Sequence, residues 1–428
     1  NGRLGALSSD RAAAIRRAAR SVTRAGLYAE FPIHALHGGG GTSANMNANE
    51  VIANLAEEAL GGRRGEYRLV HPNDHVNLRQ STNDVYPTAS HMAVVFRRPR
   101  LRRALAGLVE ALEVRARGLR RSRRLARTCL QDAVDTTYGD LLGGYAAFVR
   151  RAAGRVDAAV DALYSVCLGG TIVGRASDAP AAYRARVIPA LREATGDPRW
   201  RRAKDLFDAA QNLDDLAHVA AQLDLAARGL IKIAQDFRLL GSGPEGGLGE
   251  LRLPAMQPGS SIMPGKVNPV IPEFLIQAGF QVIGANAACL AAVDHGELDL
   301  NVWESAVVFN VLDAMDLLAA AVAQFDRACV RGFEVDATVN ARHIKSIIPL
   351  LTRLMHRHGY SKVSDACKAA GGEPGRIRRV VMERGPGVGE RRRREQRRRK
   401  AEDGRRKSEV RSPKTEDRSQ KTGVRLPT

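Results

Sequence analysis

The sequence predicts an all-α protein built around a long central bundle of helices. Apolar residues recur with a period near 3.6 positions through residues 205–240, which is typical of a helix. Residues 270–290 and 302–330 form two further long stretches rich in alanine and leucine. Strand signals are few, with residues 171–174 as one short candidate. Long helices with two apolar faces build bundles, commonly oligomeric ones, so we expect a many-helix core.

The N-terminal part contains two further predicted helices. Residues 10–25 are rich in alanine and arginine, which favour helix, and residues 45–60 end before Gly61 and Gly62. Because the chain begins at Asn1 and not at a methionine, we expect its natural start to lie upstream. We divide the chain into an N-terminal domain (1–78), a central helical bundle (79–337), a small C-terminal domain (338–385) and a basic tail (386–428).

The net charge of +20 on 428 residues is concentrated at one end of the chain. Residues 386–428 hold 16 Lys or Arg and 7 Asp or Glu, a net of +9, with almost no large apolar side chains. We expect this tail to be disordered. A basic tail can bind nucleic acid, but this one lacks interleaved aromatic residues for base stacking, so nucleic acid is not an expected partner. A solvating tail and a shifted reading frame remain alternatives.

The five cysteines indicate an intracellular protein. They are scattered, odd in number and without metal-like spacing, so we predict reduced thiols in a cytoplasmic protein. We find no signal peptide and no apolar run of about 18 residues, so we expect neither secretion nor a membrane span.

The most informative segment is residues 259–269, which read Gly-Ser-Ser-Ile-Met-Pro-Gly-Lys-Val-Asn-Pro after a glycine-rich approach. Glycine and proline at this density predict a mobile loop between helices. Ser260 could act when such a loop closes over a small anion, while Lys266 and Asn268 hold a carboxylate. The alternative is a plain linker before a helix that starts at Val270.

A second polar segment, residues 38–50, contains four glycines followed by Thr42 and a run of hydroxyl and carboxamide side chains. Accessible backbone N–H groups at a helix start make a cradle for an anion. The alternative is an N-capped helix after a flexible linker. Residues 127–133 contain one further hydroxyl side chain, that of Thr128, and we predict that a helix begins there.

Residues 71–84 form another polar segment. His71 and His75 lie four positions apart, as metal ligands on a helix can. However, Pro72 argues against a regular helix there and no third ligand is obvious, so we predict no metal site. The run Ser81, Thr82 and Asn83 instead offers hydrogen bonds to a carboxylate or an ammonium group.

These segments together resemble a known family. Five residues of the loop fit the pattern G-S-x-x-M-x-x-K-x-N, namely Gly259, Ser260, Met263, Lys266 and Asn268, and this pattern resembles the signature of the aspartase/fumarase superfamily. The resemblance covers residues 31–385. Residues 42–47, 81–86 and 269–273 are more similar to aspartate ammonia-lyases than to fumarate hydratases.

The resemblance implies a lyase that eliminates ammonia from L-aspartate to give fumarate, through an aci-carboxylate and without an organic cofactor. Ser260 would be the catalytic base. The implied substrate-binding residues are Thr42, Ser81, Thr82, Asn83, Thr128, Cys129, Lys266 and Asn268. Supporting residues would be Ser261, Met263 and Glu273, and a secondary anion site would comprise His71, Asn73 and Asp74. The family forms homotetramers in which three subunits build each site.

Two departures from the family pattern bear on activity. Cys129 stands where relatives have a histidine paired with the glutamate at the position of Glu273, so we expect Glu273 to lose its partner. The usual N-terminal segment and C-terminus of the family are also expected to be missing. The alternatives are therefore a fumarate hydratase, another amino-acid lyase, or a catalytically weakened homologue kept as a structural subunit.

Overall fold

The computed structural model describes residues 1–23 and 26–384. The chain divides into two compact units. The first comprises residues 1–122 and 137–337, and the second comprises residues 123–136 and the chain from residue 338. The predicted basic tail, residues 386–428, lies outside the described residues.

The first unit is dominated by helices. In chain order they are α1 (Ser9–Val22), α2 (Thr42–Ala59), α3 (Thr82–Gly118), α4 (Tyr138–Ala162), α5 (Ala181–Thr195), α6 (Leu206–Gln211), α7 (Asp214–Leu240), α8 (Val270–Asp294) and α9 (Glu304–Phe325). Short 3₁₀ turns lie at Gly2–Leu4, Tyr28–Glu30 and Ala176–Asp178, and π-helical turns lie at Pro72–Val76 and Asp326–Val330. The prediction of an all-α bundle is confirmed.

Five long helices form the core of the first unit. Helix α3 packs against α4 and α9, and α7 packs against α4, α8 and α9. On α3, Leu101, Leu105, Leu108 and Leu112 are all buried, and their spacing places them on one face of the helix. The apolar periodicity read from the sequence therefore corresponds to the packed face of the bundle.

Residues 205–240 form two helices and not one. Asp205 caps the short helix α6 by accepting hydrogen bonds from the backbone N–H groups of Phe207 (2.9 Å) and Asp208 (3.2 Å). Asn212 then turns into an extended conformation while its side chain donates to Asp208 Oδ1 at 2.7 Å. Such local side-chain bonds compete with helix continuation, which explains the break before α7.

The strand predicted at residues 171–174 is wrong, because this segment is a turn. Thr171 adopts a positive φ of 58°. Gly174 lies so close to the backbone of α6 that a Cβ atom there would come within 2.1 Å of the Leu206 carbonyl oxygen. The strands of the first unit are two short pairs elsewhere: parallel β3 (Ser165–Val166) and β4 (Arg201–Arg202), and antiparallel β5 (Leu251–Arg252) and β6 (Glu334–Val335).

In the second unit, the helix predicted from residue 127 is wrong. Strands β1 (Arg123–Thr128) and β2 (Gln131–Thr137) form a two-stranded sheet. The two residues that connect them, Cys129 and Leu130, have φ angles of 53° and 59°, as a type I′ hairpin turn requires. The helices of this unit are α10 (Ala337–His343), α11 (Ile347–His358), α12 (Tyr360–Ala369) and α13 (Pro374–Arg384).

Two helical segments of the bundle have the length and hydropathy of a membrane span. Helix α8 and the segment Glu304–Val330 are long and apolar enough to cross a membrane by length and composition, although we expected no such run. Leu275 and Val282 of α8, and Val307 and Leu318 of α9, are buried in the core of the first unit. Their hydropathy therefore has an explanation in the packing of the bundle.

Candidate active site

The first candidate segment lies at the N-terminus of α2. Gly41 precedes the helix with a φ of 87°, and a Cβ atom there would come within 2.5 Å of the Tyr86 ring. Only glycine fits both the backbone angle and this contact. The contact holds Thr42, the first residue of α2, close to helix α3. Thr42 is exposed there, among the backbone N–H groups of the first helical turn, which attract anions.

The second candidate segment opens α3 with a capping box. Ser81 Oγ accepts from the backbone N–H of Asn83 at 3.2 Å, and Asp84 Oδ1 accepts from the backbone N–H of Ser81 at 3.0 Å. Thr82 Oγ1 accepts from Asn45 Nδ2 at 2.9 Å. Since both hydroxyls already accept a hydrogen bond from the protein, their own protons are left to donate to a ligand.

Asp84 was part of the predicted motif but had no predicted role. It is buried, and its Oδ2 accepts from the backbone N–H groups of Gly169 (2.9 Å) and Thr171 (3.1 Å). Burial raises its pKa to about 6, against the lowering effect of these backbone hydrogen bonds. The carboxyl group thus ties the start of α3 to the loop that follows β3. Asn83 strengthens the same connection by donating from Nδ2 to the Ile172 carbonyl at 2.8 Å.

The proposed secondary anion segment folds into a π-helical turn. His71 Nδ1 accepts from the backbone N–H groups of Asn73 (3.3 Å) and Asp74 (3.2 Å), and the backbone N–H of His71 donates to His75 Nδ1 at 2.8 Å. Burial, then the charge of Arg11, lowers the pKa of His75. The Nδ1 atoms of both histidines therefore serve the turn itself. Among the residues that the structure describes, no cluster of three or more His, Cys, Asp or Glu side chains could hold a metal ion.

The third candidate segment is the exposed loop between β5 and α8. Ser260 Oγ accepts from the backbone N–H groups of Ile262 (3.2 Å) and Met263 (3.0 Å). The ends of the loop are joined, because Gly259 N donates to the Lys266 carbonyl at 2.9 Å and Asn268 Nδ2 donates to the Gly259 carbonyl at 2.9 Å. The loop thus presents one serine oxygen inside a nest of two backbone donors.

Other predicted residues near the loop differ in their environment. Ser261 and the Lys266 ammonium group are exposed. Glu273, which we expected to lose its partner, forms an ion pair with Arg238 of α7 at 3.3 Å. The carboxylate is thus paired with an arginine of the neighbouring helix and not with a histidine.

The structure brings together only some of the predicted site residues. The starts of α2 and α3 meet through the bond between Asn45 and Thr82. Within one chain, no hydrogen bond among the described residues joins the loop at 259–268 to either helix start. Thr128 and Cys129 belong to the hairpin of the second unit, where Cys129 is exposed at the turn.

Comparisons with known proteins agree on the family. Residues 3–284 match the family described as lyase. The chain is 39% identical over 383 residues to a class II fumarate hydratase of Thermosynechococcus vestitus, covering 89% of this chain and 82% of that protein. It is 38% identical over 396 residues to an aspartate ammonia-lyase of Pseudomonas canavaninivorans, covering 92% and 81%.

The fold comparison gives the same result. The crystal structure of a class II fumarase from Schistosoma mansoni superimposes with a TM-score of 0.85 at 30% identity, covering 90% of this chain and 83% of that one. This chain has the helical bundle, the loop signature and the two adjoining helix starts, and it is similar to the relatives named above. The protein is therefore a lyase that belongs to the aspartase/fumarase superfamily.

Proposed function

We propose that this chain eliminates ammonia from L-aspartate to give fumarate, with Ser260 as the catalytic base. The observation that carries the proposal is the pair of backbone N–H groups, from Ile262 and Met263, that point at Ser260 Oγ. A serine hydroxyl is a weak base, but two preorganised donors stabilise the oxyanion that can remove a proton from carbon.

The reaction proceeds in two bond-breaking steps. The Ser260 oxyanion takes the proton from Cβ of aspartate, and the electron pair of that C–H bond moves into the adjacent β-carboxylate to give an aci-carboxylate. The pair then returns to form the Cα–Cβ double bond as the C–N bond breaks, so ammonia leaves and fumarate remains. The extra negative charge on the β-carboxylate requires donors that are already in place.

Different polar segments are proposed to bind different groups of the substrate. The resemblance assigns the β-carboxylate to Thr42, Ser81 and Thr82, whose hydroxyls lie at the two adjoining helix starts. It assigns the α-carboxylate to Thr128, Lys266 and Asn268, and the amino group to Asn83 and Thr42. Lys266 supplies the full positive charge among these groups. No organic cofactor enters this scheme, and we place the enzyme in the cytoplasm.

A homotetramer is part of the proposal, because the resemblance implies a site built from three subunits. Several large apolar side chains of the long helices are at least two-fifths exposed in the single chain: Leu225, Leu239, Phe280, Leu290 and Phe309. Large apolar side chains exposed on the long helices of a bundle support association with further copies. Neighbouring subunits would then bring Thr128, the loop and the helix starts to a shared site.

Fumarate hydratase is the second candidate. The class II fumarate hydratases match this chain as well as the aspartate ammonia-lyases do, at 39% and 38% identity. The residues that favour aspartate lie in segments 42–47, 81–86 and 269–273, which resemble the ammonia-lyases more closely. The same site chemistry would remove a proton from malate and release water in place of ammonia.

Fumarate absorbance with purified protein tests the proposal directly. L-aspartate and L-malate are supplied in parallel, and Ser260→Ala is compared with Ser9→Ala, which changes an exposed serine of α1 outside the proposed site. We expect fumarate from aspartate, lost in Ser260→Ala and retained in Ser9→Ala. Fumarate from malate alone would instead identify a fumarate hydratase. Silence with both substrates from a folded oligomer would contradict both assignments.

Cys129 gives a second test, because a thiol is a weaker hydrogen-bond donor than an imidazole. The variant Cys129→His restores the residue of the family pattern. If the thiol has weakened an ancestral site, the variant gains on the order of 10² to 10⁴ in aspartase rate. An unchanged rate in an active enzyme would show that the cysteine suits the substrate of this protein.

A further inference from the structure

Three buried or half-buried carboxamides lie directly behind the two helix starts. Asn45 and Asn49 are one turn apart on α2, and Asn77 follows the π-helical turn. Asn77 Oδ1 accepts from Asn49 Nδ2 at 3.2 Å and from Asn45 Nδ2 at 3.4 Å, and Asn45 Oδ1 accepts from Asn49 Nδ2 at 3.3 Å. Asn45 Nδ2 also reaches Thr82 Oγ1 at 2.9 Å.

The direction of every hydrogen bond in this network follows from one backbone carbonyl. The carbonyl of Gln80 can only accept, so the group of Asn77 that faces it at 3.2 Å is the Nδ2 donor. Asn77 therefore turns its oxygen toward the other two side chains. That oxygen requires donors, which orients the amides of Asn45 and Asn49 without ambiguity.

The last bond of the network determines what Thr82 can do. Asn45 has already directed one amide proton toward Asn77, and its second proton points at Thr82 Oγ1. The Thr82 oxygen is therefore an acceptor in this bond, and its own proton points elsewhere. A hydroxyl held in this way can donate to an anion without first breaking a bond to the protein.

We propose that Asn45 is a positioning residue that aims the Thr82 hydroxyl at a bound carboxylate, and that Asn49 and Asn77 hold Asn45 in the required orientation. This inference rests on the proposed function, because it takes a dicarboxylate as the ligand. It extends the site to α2 residues that do not touch the substrate. It also couples the π-helical turn that precedes Asn77 to the donors of the site.

The decisive variant is Asn45→Asp, which keeps the shape of the side chain but replaces the donor with an acceptor. Thr82 would then donate to residue 45 and lose its bond to the ligand. We expect the affinity for succinate, a dicarboxylate that cannot react, to fall about 10- to 100-fold by calorimetry, as expected when a hydrogen bond to a charged group is lost. Asn54→Asp, an equivalent change on the same helix away from the network, should leave the affinity within about twofold.

A double-mutant cycle separates positioning from general support of the fold. Asn45→Ala is a milder variant that can be used if Asn45→Asp does not fold. In the wild-type background we expect it to lower the affinity for succinate about 3- to 10-fold. In a Thr82→Val background the same change should have almost no further effect, because no hydroxyl remains to be aimed. Equal losses in both backgrounds, or wild-type affinity in Asn45→Asp, would overturn the inference while leaving the proposed function intact. A wild-type protein that binds no succinate would overturn both.

Discussion

The two helix starts and the loop at 259–268 present their hydroxyls in opposite ways. At the helix starts, Thr82 and Asp84 depend on partners that are distant in sequence, such as Asn45 and Gly169, 37 and 85 positions away. In the loop, Ser260 depends on donors two and three positions away. One half of the proposed site is thus a product of tertiary structure, and the other is a local turn. Substitutions in the first half should affect stability and binding together, while a change at Ser260 should affect the chemical step with little effect on stability.

The loop provides the largest expected effect. Ser260→Ala removes the proposed base, so we expect kcat for aspartate to fall by on the order of 10² to 10⁴. Because the side chain lies in an exposed loop, the free energy of unfolding should change by less than about 0.5 kcal/mol. Steady-state kinetics and urea denaturation of the same preparation measure both quantities. A stability loss well beyond this range would show that the loop is integrated into the fold after all.

A substitution at a helix start should, in contrast, cause a large loss of stability. Asp84→Ala removes the acceptor of three backbone N–H groups, those of Ser81, Gly169 and Thr171, of which the last two are buried, so we expect a loss of about 3 to 5 kcal/mol in unfolding free energy. Asp205→Ala is the matched control, because that exposed carboxylate also accepts two backbone N–H bonds and its loss should cost about 1 kcal/mol. Equal losses in the two variants would show that a carboxylate bonded to distant residues stabilises the fold no more than one bonded to its sequence neighbours.

Stability against pH tests a buried carboxyl group of α9 that lies near Tyr86 and Ser90 of α3. Burial raises the pKa of Glu304, at the start of α9, to about 8, with a smaller lowering effect from Ser90. A raised pKa in the folded state means that the stability contribution is complete below the unfolded pKa of about 4.3 and is lost as pH rises toward 8. Between these two pKa values, the unfolding free energy falls by up to about 1.4 kcal/mol per pH unit.

The variant Glu304→Gln should abolish this slope. Subtracting its unfolding free energy from that of the wild type isolates Glu304 from other groups, including His91, whose pKa is lowered by burial and which acts in the opposite direction. Denaturation between pH 5 and pH 8, in steps of about one unit, gives the difference curve. A flat difference would mean that the carboxyl group is solvated in the folded protein.

The smallest effect is expected at the ion pair between α7 and α8. Arg238 and Glu273 are each about one-third exposed, so their pairing at 3.3 Å is screened by water. We expect Arg238→Met to reduce the unfolding free energy by less than about 1 kcal/mol, and the loss to shrink in high salt. A larger loss that persists in high salt would show that this ion pair is shielded from water and supports the fold as strongly as the bonds of Asp84 do.

The sequence was sufficient for patterns that are local. Helix periodicity predicted the bundle, and the density of glycine and proline predicted the loop that carries Ser260. The break at Asn212 and the hairpin at Cys129 were missed, because they depend on a side-chain bond and on positive φ angles at residues that are not glycine. The role of Asp84 was also out of reach, because its donors at 169 and 171 carry no sequence signal beyond ordinary turn residues.

The long-range bonds of Asp84 also bear on how the chain folds as it is synthesised. Helix α3 can form as soon as its own residues have emerged, yet its N-terminal carboxylate meets the N–H groups of Gly169 and Thr171 only after 85 to 87 further residues have been added. Closing so long a loop carries an entropic cost that short turns avoid. The nascent chain therefore completes the loop around Ser260 by local contacts alone, whereas the helix start at Ser81 becomes competent only when a distant part of the chain returns to it.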